Sequence, residues 1–354
     1  MHAPLVSCTP PFWARGPHAQ TLLGHFLPSP TPELPWERVN LKLPDGDELA
    51  IRMVPGRTEQ VVHLFHGLGG SADADYMRRA AAMFWDQGHT VLAMNHRGAG
   101  EGRGLAAKPY HMGSTSDLSA MIQAGRGFFP EHVHVAVGFS LSATILLLLL
   151  SRDRQKGFTL PDRAMAVNPV VDLERTSLRM SQGLNRLYDI RFVHVLRRQI
   201  QERWELGLLP ELPLLPLGMT LRDFDEVFTA PQAGFRDRDD YYAQCSSGPH
   251  LREVQVPTVI LSSLDDPLAT ARDFEGVELS PAIHLHAEPH GGHMGYLGRG
   301  VPGLRWLDQA LSHYLQQLVM TSASPDLQVL EAPGWDDPAF LSLEVEAASD
   351  FTRA

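Results

Sequence analysis

The chain has 354 residues, 44% hydrophobic and 20% charged, which suits a folded core and excludes global disorder. Its formal charge of −11 disfavours nucleic acid as a partner, because binding phosphates needs a basic face. Only two cysteines are present, Cys8 and Cys245, so no disulfide framework can form and a reducing, cytoplasmic setting is expected.

In chain order, residues 1–36 lack the charged start and apolar stretch of a signal peptide. Pro28, Pro30, Pro32 and Pro35 make the end of this segment read as an extended linker, so 1–36 is taken as an N-terminal arm. Residues 37–43 and 48–54 read as strands joined by the turn Pro44-Asp45-Gly46-Asp47. An alternation follows. Strands are expected at 61–65, 90–94, 133–137 and 164–167, with helices at 75–87, 117–128 and 141–152. Ser116 is a plausible N-cap for the second helix, and Asn168-Pro169 stops the fourth of these strands. From 172 to 248 the pattern lapses into polar helix broken by Pro210, Pro213, Pro216 and Pro231. Strands resume at 258–262 and 283–287, and Leu304, Leu307, Leu311, Leu315 and Leu318 mark a closing amphipathic helix.

Strands alternating with helices imply an α/β fold with a mostly parallel sheet covered on both faces. One domain over 37–320 is expected, with 172–248 as a helical cap insertion over the site. The run 143–150 is far shorter than the ~20 residues that span a bilayer, so it reads as a core helix and the protein as soluble. After Met320 come seven carboxylates and a single arginine, more than half of the net charge, and 321–354 is expected to be a loosely ordered acidic tail.

Ser140 lies in Gly138-Phe139-Ser140-Leu141-Ser142, between an apolar strand and an apolar helix. This resembles the G-x-S-x-G nucleophile elbow, with Ser142 in place of the last glycine. Small residues are needed there because the turn crowds its own backbone. The bland alternative is an ordinary strand-to-helix turn with Ser140 as a cap. A serine needs a base, and the base needs an orienting carboxylate. His293 follows the last expected strand, within His290-Gly291-Gly292-His293-Met294-Gly295. Asp265-Asp266 follows the strand at 258–262. Asp266 is favoured as the acid from its distance past Pro257, with Asp265 capping the turn or the two roles reversed. His290 and His293 also fit a metal pair, but no third ligand can be named, and no cofactor or metal is expected. The Gly-rich segment Phe65-His66-Gly67-Leu68-Gly69-Gly70 follows the first parallel strand, and the Leu68 and Leu141 amides are candidate oxyanion donors.

Taken together, these segments resemble the YheT-like branch of the α/β-hydrolase superfamily over about residues 11–318. The marks are Pro17-His18-Ala19-Gln20-Thr21, His66-Gly67-Leu68-Gly69-Gly70-Ser71, Asn95-His96-Arg97-Gly98, residues 110–118, Phe224-Asp225-Glu226, Gly234-Phe235, Asp240-Tyr241-Tyr242, Asp265-Asp266-Pro267 and residues 291–295. The resemblance implies an α/β-hydrolase fold and a Ser-His-Asp triad on Ser140, His293 and one of Asp265 and Asp266. It implies action on small-molecule acyl esters without metal or organic cofactor. Hydrolysis through an acyl-enzyme is the first expectation. An acyltransferase using an alcohol acceptor and a non-catalytic binding protein are the alternatives. Arg97 and Asp117 read first as a buried structural pair, and Tyr241-Tyr242 as an anchor for the insertion. Nothing in the sequence fixes the oligomeric state.

Overall fold

The computed structural model describes residues 5–29 and 31–320, and the expectation for 321–354 lies outside the described residues. Largely buried runs of five to seven residues pair side by side, β3 (Gln60–Phe65), β4 (Thr90–Met94), β5 (Val133–Phe139), β6 (Arg163–Val167) and β7 (Thr258–Ser263), followed by the half-buried edge strand β8 (Ile283–Glu288). With β1 (Glu37–Lys42) and β2 (Glu48–Val54) they form one eight-stranded sheet, in the order β1-β2-β4-β3-β5-β6-β7-β8. Strands β3 to β8 run parallel to one another, and β1 and β2 add an antiparallel edge beside β4. The helices between the parallel strands are α2 (Asp75–Asp86), α3 (Thr115–Phe128) and α4 (Leu141–Leu150).

Period-two side-chain alternation sorts the core into two layers. Val62 and Leu64 pack with Met77 and Phe84 of α2, in a cluster completed by Leu311 and Leu315 from the closing helix. Val61 and Phe65, on the opposite face, meet Leu118 and Ile122 of α3 and Leu146 of α4. Helix α4 is buried on every side, as its run of five leucines requires. Each of those leucines contributes about 2 kcal/mol relative to exposure.

An N-terminal helix, α1 (Pro17–Phe26), stands in the segment expected to be an arm. Between β6 and β7 come α5 (Leu173–Met180), α6 (Arg186–Glu205), α7 (Leu221–Phe224), α8 (Ala230–Gln232) and α9 (Arg238–Cys245), and α10 (Trp306–Met320) closes the domain. Among the described residues no helix is long and apolar enough to cross a membrane. Tyr241 and Tyr242 fasten α9 inward. The Tyr241 hydroxyl accepts the Met112 N–H at 3.1 Å, and that of Tyr242 donates to Asp225 at 2.9 Å. Arg97 ties the β1–β2 turn to α3, donating to Asp117 at 2.7 and 2.8 Å, Asp47 at 2.7 Å and Asp45 at 2.8 Å. One cap differs from expectation. Helix α3 begins two residues earlier, with Ser114 rather than Ser116 before it, and the Ser114 hydroxyl accepts the His111 N–H instead of serving the helix.

His63, His66 and His96 are fully buried. Burial disfavours their charged forms, lowering His66 to about 4 and the other two well below the ordinary value. The unfolded chain titrates near 6.5, so unfolding takes up protons below that pH. Stability from this source is intact above about 6.5 and is lost as pH falls toward about 4. The urea midpoint is therefore expected to drop between pH 7 and pH 5. A midpoint unchanged over that interval would contradict neutral buried imidazoles.

Candidate active site

At the C-terminal end of β5 the chain reverses into α4 within one residue. Ser140 takes φ 52° and ψ −116°, a conformation that costs a non-glycine residue about 1–3 kcal/mol. Its N–H donates to the Val167 carbonyl at 2.8 Å, holding the turn against β6. Two glycines make room. A Cβ on Gly138 would lie 2.6 Å from the Ser142 carbonyl oxygen, and one on Gly67 would lie 3.2 Å from the Ser140 Cβ.

The Ser140 hydroxyl lies 2.8 Å from His293 Nε2, and His293 Nδ1 lies 2.8 Å from Asp266 Oδ2. Asp266 is buried and also accepts from the Leu268 and Ala269 amides at 2.7 and 3.0 Å and from Asn168 Nδ2 at 2.7 Å. Burial alone would raise its carboxyl, but His293 and the two amides outweigh that and hold it below the ordinary carboxylate value. A carboxylate on Nδ1 selects the tautomer with Nδ1–H, which leaves Nε2 to accept the Ser140 proton.

Asp265 makes different bonds. One of its oxygens accepts the Gly291 and Gly292 amides, each at 2.8 Å, and the other lies 3.5 Å from His290 Nδ1. The neighbouring aspartates thus divide: Asp266 faces the His293 ring, and Asp265 fixes the loop that carries it. His290 and His293 address separate carboxylates.

Three contributors were not singled out for a role in the sequence. Asn168 was read as a strand stop, yet at the end of β6 it donates to Asp266. Its place at a strand end beside the elbow was the available signal. Thr21 and Gln20 belong to a segment marked only by resemblance. The His293 N–H donates to Thr21 Oγ1 at 2.9 Å. Gln20 is fully buried, donates to the Ala14 and Leu297 carbonyls and accepts the Leu297 N–H. Helix α1 is therefore the backing of the His293 loop, and the contact is backbone to backbone. A Cβ on Gly24 would lie 2.4 Å from Gly295 Cα, and one on Gly295 would lie 2.1 Å from the Gln20 carbonyl oxygen.

Leu68 and Leu141 flank Ser140 in one apolar pocket, with Val170, Met180 and Phe192 on its walls. Among the described residues neither the Leu68 nor the Leu141 N–H has a protein acceptor. Met180 and Phe192 come from α5 and α6, so the insertion between β6 and β7 walls the pocket. Asp225 reaches the same pocket, and burial pushes its carboxyl up to about 6.

A family profile for the alpha/beta hydrolase fold matches residues 60–299. YheT of Escherichia coli (strain K12), named as a candidate esterase, is 31% identical over 310 residues, covering 84% of this chain and 89% of that one. Phospholipase ABHD3 of Mus musculus is 23% identical, covering 90% and 80%. Among solved structures, the Pyrococcus furiosus esterase Pf2001 superposes with a TM-score of 0.55 at 15% identity, covering 90% of this chain and all of that one.

The packing of α1 on the His293 loop is open to test. Gly24→Ala is expected to cost at least about 1–3 kcal/mol by urea unfolding, because backbone cannot move aside as a side chain can. Leu22→Ala, on the exposed side of the same helix, should cost less than half as much. Equal costs for the two substitutions would refute the close backbone contact.

Proposed function

The chain belongs to the YheT-like branch of the α/β-hydrolase superfamily and is an enzyme of the esterase type, and from that premise we propose that it cleaves acyl esters through Ser140, His293 and Asp266. The observation that carries this reading is the unbroken hydrogen-bond chain between the three side chains, 2.8 Å at each step.

In the proposed reaction Ser140 Oγ attacks the ester carbonyl carbon while His293 Nε2 takes its proton. The carbonyl oxygen becomes an oxyanion, and the free Leu68 and Leu141 amides beside Ser140 are the donors suited to receive it. The tetrahedral intermediate collapses with loss of the alcohol, which leaves with the proton returned by His293. The acyl group now rests on Ser140. Water attacks in the same way, its proton passing to His293, and the acid leaves as the hydroxyl of Ser140 is restored. Asp266 stays ionised throughout, and its charge supports the imidazolium formed at each attack. Asp265 acts on the backbone of the loop rather than on the imidazole.

The substrate is proposed to be a small molecule with an apolar acyl chain, since the pocket beside Ser140 is lined mostly by leucine, valine, methionine and phenylalanine. The phospholipase name of one relative makes a lipid ester a natural candidate.

Hydrolysis of p-nitrophenyl esters of graded acyl length tests this. Ser140→Ala, His293→Ala and Asp266→Asn are each expected to lower kcat on the order of 10³-fold or more. Asp265→Asn should retain far more activity than Asp266→Asn. Full activity in Ser140→Ala would remove the serine mechanism, and reversed severities would exchange the aspartates.

A further inference from the structure

The elbow motif ends in glycine, and this chain has serine there. Ser142 is fully buried on the first turn of α4, and its hydroxyl meets two groups. It lies 2.5 Å from the His66 carbonyl oxygen and 2.6 Å from His96 Nε2. A carbonyl can only accept, so the single hydroxyl proton goes to His66, and His96 Nε2–H donates to Ser142 Oγ. His66 takes the opposite tautomer, with its proton on Nδ1. The His96 N–H donates to His66 Nε2 at 3.1 Å, and His66 Nδ1–H donates to the Gly67 carbonyl at 2.8 Å.

His66 opens the loop that carries Leu68, and the other amides of that loop are also committed. The Gly67 N–H donates to the Tyr76 hydroxyl at 2.8 Å, the Gly69 N–H to the Tyr110 hydroxyl at 2.9 Å, and the Gly70 N–H to the Gly67 carbonyl at 3.1 Å. Between them, the Leu68 N–H alone has no protein acceptor among the described residues. Tyr110 stacks on the His96 ring at 4.7 Å, so the phenol on Gly69 and the imidazole on Ser142 support each other. Gly69 sits at φ +70°, and a Cβ there would lie 2.9 Å from the Val195 side chain of α6.

We propose that Ser142 is a positioning residue that locks the loop bearing the Leu68 amide to the turn bearing Ser140, and that this chain uses it in place of the motif's glycine. This rests on the esterase reading above. The two amides on either side of Ser140 come from different strand ends, and an oxyanion site works only if their spacing is fixed before the charge develops. Ser142 follows the Leu141 donor directly, and the carbonyl it binds belongs to His66, two residues before the Leu68 donor. Among the described residues its hydroxyl is the one side-chain hydrogen bond that runs from α4 into the loop, by way of His66.

The test is to restore the motif. Ser142→Gly and Ser142→Ala are compared with wild type for kcat and KM on a short p-nitrophenyl ester, and for inhibition by a trifluoromethyl ketone of the same acyl length. The ketone adds Ser140 and places an oxyanion in the site. Urea unfolding of each variant serves as the folding control, and the alanine variant removes the hydroxyl without the backbone freedom of glycine. Both variants are expected to lose about tenfold or more in kcat, with KM within about twofold of wild type. The ketone's inhibition constant should rise by the same factor as kcat/KM falls. Wild-type or higher kcat in the two variants would overturn the proposal. So would a fall in kcat without a matching loss of ketone affinity, because that pattern marks a general loosening. A wild type that turns over no ester in the graded series would remove the esterase reading itself, a result distinct from an active wild type with indifferent Ser142 variants.

Discussion

A carboxylate charge buried beneath the end of the sheet organises the site. Asp266 cannot stay ionised there unless its oxygens are filled, since an unpaired buried charge costs several kcal/mol. Four donors fill them: the imidazole of His293, the side-chain amide of Asn168, and the Leu268 and Ala269 N–H groups. They come from the end of β6, the turn after β7 and the loop after β8. Satisfying one charge therefore fixes three strand ends relative to one another, and the ring that results points its free nitrogen at Ser140.

The same logic spreads outward through backbone contacts. The loop of His293 is glycine-rich because α1 lies directly on it, and its amides are held from one side by Asp265 and from the other by Thr21. Opposite, the loop of Leu68 is held by two phenols and the Ser142 hydroxyl. The glycine loops on both flanks of Ser140 are thus held by hydrogen bonds, while the Leu68 and Leu141 amides have no protein acceptor among the described residues. Such rigidity suits stabilisation of a charge that exists only briefly.

The sheet was legible because a parallel strand covered on both faces must be a short apolar run, and β3 to β7 are such runs. Ser140 and His293 were legible because their neighbours are glycines and small residues at strand ends. Asp266 was favoured over Asp265 only by its distance past Pro257, as two adjacent carboxylates differ in which way the turn points them and not in residue type. Helix α1 was hidden by flanking prolines and by a sequence, PHAQTLLGHF, that buries a glutamine rather than an apolar stripe. The loop it packs against lies some 270 residues away in sequence, so no local pattern marks the contact. Ser142 looked like a tolerated deviation, because only the fold brings the His66 carbonyl and the His96 ring to its hydroxyl.

The acidic balance of the chain says little about substrate, since the pocket beside Ser140 has mostly apolar walls and the Asp266 charge is compensated by four donors. The most direct measurement is peptide mapping after reaction with a fluorophosphonate, which bonds an activated serine and no ordinary one. One phosphonyl group on Ser140, acquired much more slowly when Asp266 is changed to Asn, is the predicted result. An adduct on another serine, or a rate indifferent to Asp266, would contradict the buried carboxylate as the source of Ser140 reactivity.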